Sequence, residues 1–254
     1  MCGRYVSMRS DADMVAEFDA VDATLGQTPE PDYNVAPTKA VRIVVSRPLR
    51  DADGTPAADA TRQLRIAAWG LVPSWAKDRR GAARMINARI ESVTAKPAFR
   101  KAYARRRCLV PADGWYEWRT SATPQGARKQ PMYMTPSDGH LLAFAGLYEF
   151  WSPPGHDGDT VTTCSIITSP AEGRLAEIHD RMPLVLPRGA WARWLDPRVD
   201  DPAELLVPWD EARGERLDLR PVSSAVNKVE NNGPALIAEI DPEEDIDSAS
   251  QRLF

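Results

Sequence analysis

The chain has 254 residues, 43% of them hydrophobic and 27% charged, enough apolar material for one sizeable core in a soluble globular protein. No apolar run reaches the roughly 18 residues that a membrane span needs, and the start, MCGRYVSMRSDADM, lacks the apolar stretch of a secretory signal. The cysteines Cys2, Cys108 and Cys164 form no CxxC, and no histidine falls at zinc-ligand spacing with them; this argues against a disulfide framework and a structural metal and fits a reducing cytoplasm.

Helical patterning appears first at Asp11–Phe18, with Ser10 as N-cap. Strands rich in β-branched or aromatic residues follow at Val41–Ser46 and Leu64–Val72. Ala88–Ala95 and Ala98–Arg106 read as helices, and then come strands at Arg107–Trp118, Met132–Thr135, His140–Trp151 and Thr160–Ser169. Two further helices are expected at Ala171–Ile178 and Ala190–Leu195. Arg47–Arg62 and Thr120–Gln130 read as flexible loops, and the acidic tail after Asp241 as mobile. Strands dominate without a βαβ rhythm, so the expectation is one α+β domain over residues 1–240, with a curved, barrel-like, mainly antiparallel sheet and flanking helices. Gly114-Trp-Tyr-Glu117-Trp and Gly146-Leu-Tyr-Glu149-Phe echo each other, but two copies make no repeat architecture.

The net charge of −4 argues against a nucleic-acid partner, but its distribution argues the other way. Residues 62–130 hold 16 Lys+Arg against 4 Asp+Glu, and residues 196–247 hold 5 against 15. Such polarity can place a basic face beneath an acidic total, and the face is what a phosphate backbone feels; two solvated surfaces would give the same runs.

Chemistry begins at Cys2. Aminopeptidases remove an initiator Met ahead of a small residue, which would leave an α-amine and a thiol on adjacent carbons. The amine can form a Schiff base with an aldehyde and the thiol can then close a thiazolidine ring, an intramolecular second step. From position alone, the ordinary reading of Cys2 is an early residue of a first strand. Gly3 permits close backbone approach, and Arg4 could hold a phosphate or lower the thiol pKa. In an alternating strand Trp115 and Glu117 share one face and Tyr116 and Trp118 the other, and a carboxyl beside tryptophan is partly desolvated. Glu149 has the same local pattern. His179 sits at a helix C-terminus, where a cap or dipole partner is the ordinary reading; Asn87 could be a plain N-cap. Trp69 and Trp75 can stack on bases, though core packing claims at least one of them. Cys108 and Cys164 read as buried thiols, and His140 and His156 receive no function. Arg105-Arg106-Arg107 would extend a DNA face or lie on plain solvated surface.

Six blocks, in order, give a resemblance: Met1-Cys2-Gly3-Arg4-Tyr5, Tyr33-Asn-Val-Ala-Pro-Thr38, Trp69-Gly-Leu-Val-Pro-Ser-Trp75, Asn87-Ala-Arg89, Gly114-Trp-Tyr-Glu-Trp118 and His179-Asp-Arg-Met-Pro183. Together they resemble the SOS response-associated peptidase (SRAP) family, which processes abasic sites, over about residues 1–230. The resemblance implies covalent capture of an abasic site in single-stranded DNA by Cys2 after loss of Met1, which also explains the peptidase label. It implies Glu117 as proton carrier at the amine, His179 as opener of the abasic sugar, and Asn87 at that sugar. Arg4, Trp69, Trp75, Arg84, Arg89 and Arg181 are the DNA-binding candidates. The expected protein is a monomer without cofactor or metal, cytoplasmic and drawn to the nucleoid by damage, with possible lyase activity. An N-terminal-cysteine peptidase and a non-covalent single-strand binder are the competing readings.

Overall fold

The computed structural model describes residues 2–51, 53–123, 126–155, 158–207 and 217–242. The chain opens with β1 (Tyr5–Ser7), α1 (Asp11–Phe18), β2 (Val21–Asp22) and β3 (Asp32–Val35). The long strands β4 (Ala40–Arg50) and β5 (Pro56–Trp69) follow, then β6 (Asn87–Arg89) and α2 (Arg100–Arg105). Next come β7 (Arg107–Ala112), β8 (Gly114–Thr123), β9 (Gly126–Pro136), β10 (Leu142–Trp151) and β11 (Val161–Pro170). The described chain ends with α3 (Gly173–Ala176), β12 (Arg181–Pro183), α4 (Trp191–Leu195) and β13 (Leu217–Pro221).

Two mainly antiparallel sheets result. One runs β13–β9–β8–β1–β3; the other runs β12–β11–β10–β7–β4–β5–β2, with β6 added beside β11. A short parallel contact of β11 with β5, Thr163 opposite Ala68, bends the second sheet partly into a ring without closing it as a barrel. The α+β expectation holds. None of the described helices is long and apolar enough to cross a membrane.

Alternation along the strands sorts side chains into layers. Val41, Ile43, Val45, Phe144 and Ile166 of the second sheet face Tyr5, Trp115, Met132 and Met134 of the first, and Cys2 lies in this inter-sheet core. The opposite face of the second sheet, through Val44, Leu109, Ala145 and Leu147, packs on α1, α2 and α4. Phe18 stacks on Trp191 at 4.5 Å there. The outer face of the first sheet, Val6, Tyr116 and Tyr133, is covered by Val222, Val226 and Leu236.

Helix α1 forms where its cap predicts: Ser10 Oγ accepts from Asp13 N at 3.1 Å and the Asp13 carboxylate accepts from Ser10 N, a reciprocal capping box. Elsewhere the sequence expectations need correcting. The run Arg107–Trp118 is two strands in different sheets, divided at Asp113, whose carboxylate accepts from Met8 N at 2.8 Å. Residues 47–62 and 120–130 are mostly hairpin, β4–β5 pairing out to Arg50–Pro56 and β8–β9 out to Thr123–Gly126. Pro56–Ala60 are exposed on both faces, so no apolar alternation marks them as strand. The helix expected at Ala88–Ala95 is absent: Asn87–Arg89 pair in parallel with Ile166–Thr168, a partnership nearly 80 residues distant. Ala98–Arg106 shortens to α2 and Ala171–Ile178 to α3. The tail after Asp241 lies almost wholly outside the described residues, as does His156.

Two of the three consecutive arginines are structural, and Arg105 lies at the surface. Arg107 is buried and donates to the carbonyls of Tyr103, Ala104, Trp194, Asp196 and Val199. Arg106 pairs with Glu149 at 2.5 Å and Arg105 with Asp200 at 2.8 Å. Cys108 and Cys164 are buried free thiols.

Candidate active site

The two sheets bring four distant side chains together at their junction. Strand β1 pairs antiparallel with β8, Tyr5 opposite Trp115, and Tyr116 N donates to Arg4 O at 3.0 Å. Continuing that register carries the chain start past Glu117, and Cys2 is fully buried there. Asn87, at the head of β6, donates from Nδ2 to the Cys2 carbonyl at 2.7 Å. Its Oδ1 is buried with no hydrogen-bond partner among the described residues. A buried unmet acceptor costs stability unless a ligand hydroxyl completes it.

Glu117 is 3% exposed. Burial pushes its carboxyl up to about 7; the positive amino terminus works against that rise and the Asp180 charge adds to it. Such a group exchanges protons readily near neutrality. His179 Nε2 stands 4.0 Å from Glu117 Oε2. Burial, and after it the amino terminus, holds His179 below its ordinary range, with Asp180 opposing. Arg181 N donates to His179 Nδ1 at 3.0 Å, while Asp180 Oδ1 lies 2.9 Å from the same nitrogen. One nitrogen cannot accept from the first and donate to the second at once, so the two contacts belong to different protonation states of Nδ1. The Cys2 thiol is raised above its usual range by burial and by the Glu117 charge. With Met1 ahead of it, its nitrogen is an amide rather than an amine.

Glu149, the echo of Glu117, is equally buried but tied to Arg106 and to Phe150 N. Structure, not spacing, separates the two.

A family model described as SOS response associated peptidase (SRAP) matches residues 1–229. The chain belongs to the SRAP family. Abasic site processing protein YoqW of Bacillus subtilis is 37% identical over 241 residues, 93% of this chain and 99% of that protein. Abasic site processing protein YedK of Escherichia coli is 30% identical over 241 residues, again covering 93% and 99%. A Bacteroides thetaiotaomicron protein of known crystal structure superposes with a TM-score of 0.78 over 94% of this chain and 100% of its own, at 23% identity, which speaks for the fold alone.

Around the SRAP site the other expected residues divide. Trp69 is 1% exposed, donates its indole N–H to Ile86 O at 3.0 Å and meets Tyr5 edge-on at 5.3 Å. It has no face to offer a base; core packing is its role. Trp75 is 63% exposed beside an open groove lined by Leu71, Val72, Pro73 and Met85. Arg84 and Arg89 are exposed on either side of Asn87. Arg4 donates to Asn34 Oδ1 at 2.6 Å and to Val226 O at 2.7 Å, and its guanidinium lies 6.0 Å from the Trp118 ring. Arg181 is bound to Glu91 and to Thr168 O. No cluster of three metal-ligating side chains occurs among the described residues.

Three contributors were not legible as such. Asn34 is fully buried, accepts from Arg4 and donates to Lys228 O and Asn231 O, so it ties β3 to the segment nearly 200 residues on. Asn227 Oδ1 accepts from the Trp118 indole at 2.7 Å. Glu91 holds Arg181. Asn34 lies inside a recognised block, but its partners are too far along the chain for any local pattern to reveal.

Proposed function

We propose that this chain recognises abasic sites in single-stranded DNA and captures them covalently through Cys2 once Met1 is lost. The observation that carries the reading is the convergence of Cys2, Asn87, Glu117 and His179 at one inter-sheet junction, from four segments far apart in sequence. Membership of the SRAP family and relatives named abasic site processing proteins support it.

The chemistry follows from the groups present. An abasic deoxyribose is mostly a closed hemiacetal; His179 in its protonated form gives a proton to the ring oxygen as the C1′ hydroxyl gives its own to water, and the aldehyde forms with no net change in protons. The freed Cys2 amine adds to C1′, and loss of water leaves an imine. The thiol then adds across the C=N bond, its proton passing to nitrogen, so aminothiol plus aldehyde gives thiazolidine plus one water. Glu117, poised near 7, takes and returns the amine proton. Asn87 fixes the Cys2 carbonyl and offers Oδ1 to a sugar hydroxyl. Trp75, Arg84 and Arg89 supply a stacking face and phosphate contacts to the flanking strand. The peptidase activity of the family name then reduces to loss of Met1.

The test is incubation of mature protein with single-stranded DNA carrying one abasic site, followed by denaturing electrophoresis and intact-mass analysis. A denaturation-resistant adduct on damaged DNA only, on protein lacking Met1, is expected. No covalent band, or equal capture with Met1 verified in place, would overturn the reading in favour of a non-covalent binder or a peptidase.

A further inference from the structure

The inner face of the second sheet, the one that packs against the first, changes character toward one end. Along β4 its side chains run Val41, Ile43, Val45 and then Arg47; along β5, read back from Trp69, they run Ala67, Arg65 and Gln63. Tyr148 and Phe150 of β10 continue this face, with Thr162 of β11 directly opposite Phe150. Thr162 stands four residues before Ile166, the partner of Asn87, so about 13 Å of β11 separates this end from the capture site.

These side chains form one cluster. The Arg47 guanidinium lies 4.9 Å from the centre of the Phe150 ring, and Phe150 meets Tyr148 edge-on at 5.5 Å. Gln63 is fully buried; its Nε2 donates to Arg47 O and its Oε1 accepts from Arg65 Nε, both at 2.8 Å, so one amide braces both arginines. Burial, and after it the Arg47 charge, holds Arg65 below its ordinary range, with Tyr148 opposing. Burial raises Tyr148, and both Arg47 and Arg65 work against that rise. Each of the three groups is thus within electrostatic reach of the other two.

What the cluster lacks is an acid. The charges that act on Arg65 are an arginine and a tyrosine, with no carboxylate. Among the described residues, its Nη groups and the whole Arg47 guanidinium form no hydrogen bond or ion pair, whereas nearby Arg106 is matched by Glu149. Tyr148 is 5% exposed, and its hydroxyl likewise forms no hydrogen bond among the described residues. Two half-buried like charges disfavour each other unless an anion sits between them.

We propose that Arg47, Arg65 and the Tyr148 hydroxyl form a binding site for a phosphate monoester, with Phe150 and Gln63 holding the two guanidiniums in place. A monoester carries a charge of about −1.5 to −2 at neutral pH and three acceptor oxygens, which matches two cations and a hydroxyl donor. The planar guanidinium fork suits those oxygens. A diester, with one charge, would leave one arginine uncompensated. The site stands independently of the abasic-site reading. Its phosphate has two possible sources, a small phosphorylated compound or the terminal phosphate of a DNA strand.

Titration calorimetry at pH 7.5 and constant ionic strength tests this, with methyl phosphate and dimethyl phosphate as probes. Wild type should bind one methyl phosphate per chain, and dimethyl phosphate at least about tenfold more weakly. Arg47→Gln or Arg65→Gln should weaken methyl phosphate binding by about tenfold or more, the scale of one charge-assisted hydrogen bond. Tyr148→Phe should weaken it less, and Arg105→Gln, at a surface pair, not at all. Should Arg65→Gln lower the melting temperature, Arg47→Gln decides, because that guanidinium meets only a ring. Undamaged single strands with a 5′-phosphate, a 3′-phosphate or neither separate the sources. A gain in affinity from a terminal phosphate, lost in Arg47→Gln, assigns the site to a DNA end; no gain beside methyl phosphate binding assigns it to a free compound. Absence of methyl phosphate binding by wild type, equal affinity for dimethyl phosphate, or equal losses in Arg47→Gln and Arg105→Gln would overturn the proposal.

Discussion

At the scale of single residues, Glu117 sets burial against chemistry. A carboxyl raised from 4.5 to about 7 binds more protons folded than unfolded across that window. Its stabilising effect is therefore intact below about 4.5 and is lost as pH rises to 7. The loss is on the order of 3 kcal/mol, from roughly 1.4 kcal/mol per pKa unit. Glu117→Gln should thus raise stability at pH 8 relative to pH 4, as urea melts at the two pH values would show, while slowing capture by about 10²–10⁴-fold. Equal effects at both pH values would contradict the burial account. Glu149→Gln should do the reverse. It breaks the pair with Arg106, so stability falls, by up to about 3 kcal/mol for a partly exposed partner. The capture rate of the folded fraction should be unchanged. If both variants slowed capture alike, the distinction between the two glutamates would fail.

At the scale of elements, the Asp113–Gly114 corner matters most, because there the chain leaves one sheet and enters the other, carrying Glu117 with it. A Cβ on Gly114 would lie 2.3 Å from the Met134 carbonyl and 2.6 Å from the Tyr133 ring. The carbonyl is backbone of the paired strand and cannot step aside cheaply. Gly114→Ala should cost about 1–3 kcal/mol, the usual range for overpacking, and loosen the register that aligns Cys2 with Glu117. Thermal melts and capture rates should fall together; an unperturbed melting temperature would argue against the crossing geometry. This corner also shows where sequence reading stops. The alternation Trp115/Glu117 against Tyr116/Trp118 was legible and correct, since period two is a local property. That β7 and β8 belong to different sheets was not, because the apolar run is continuous through Asp113. Asn87 illustrates the same limit: its strand exists only by pairing with β11. The grouping of Cys2 with Glu117 and His179 came from family resemblance, since no spacing rule joins residues so far apart.

At the scale of the molecule, the charge map is less one-sided than it reads. Part of the basic segment is consumed within the protein: Arg106 meets Glu149 and Arg107 binds carbonyls, while Arg105 pairs with Asp200 at the surface. The cations left to a DNA strand near the site are fewer, Arg84 and Arg89 among them. Non-covalent affinity for intact single strands should fall linearly in log–log plots against salt, with a slope near −0.7 per phosphate contact. Arg84→Glu or Arg89→Glu should flatten that slope by about one contact each, and Arg105→Glu should leave it alone. Equal effects from all three would mean that affinity follows total charge rather than a defined strand path.

The central claim is that the Cys2 thiol forms part of the bond to DNA, and trapping chemistry tests it most directly. Wild-type protein and Cys2→Ala, both freed of Met1, are incubated with abasic single-stranded DNA, with and without borohydride, and denatured. A thiazolidine has no imine to reduce, so the wild-type adduct should survive without borohydride. Cys2→Ala keeps the amine alone and should give an adduct only when borohydride traps its Schiff base. If Cys2→Ala forms the same borohydride-independent adduct as wild type, the thiol is not in the bond and the account is wrong.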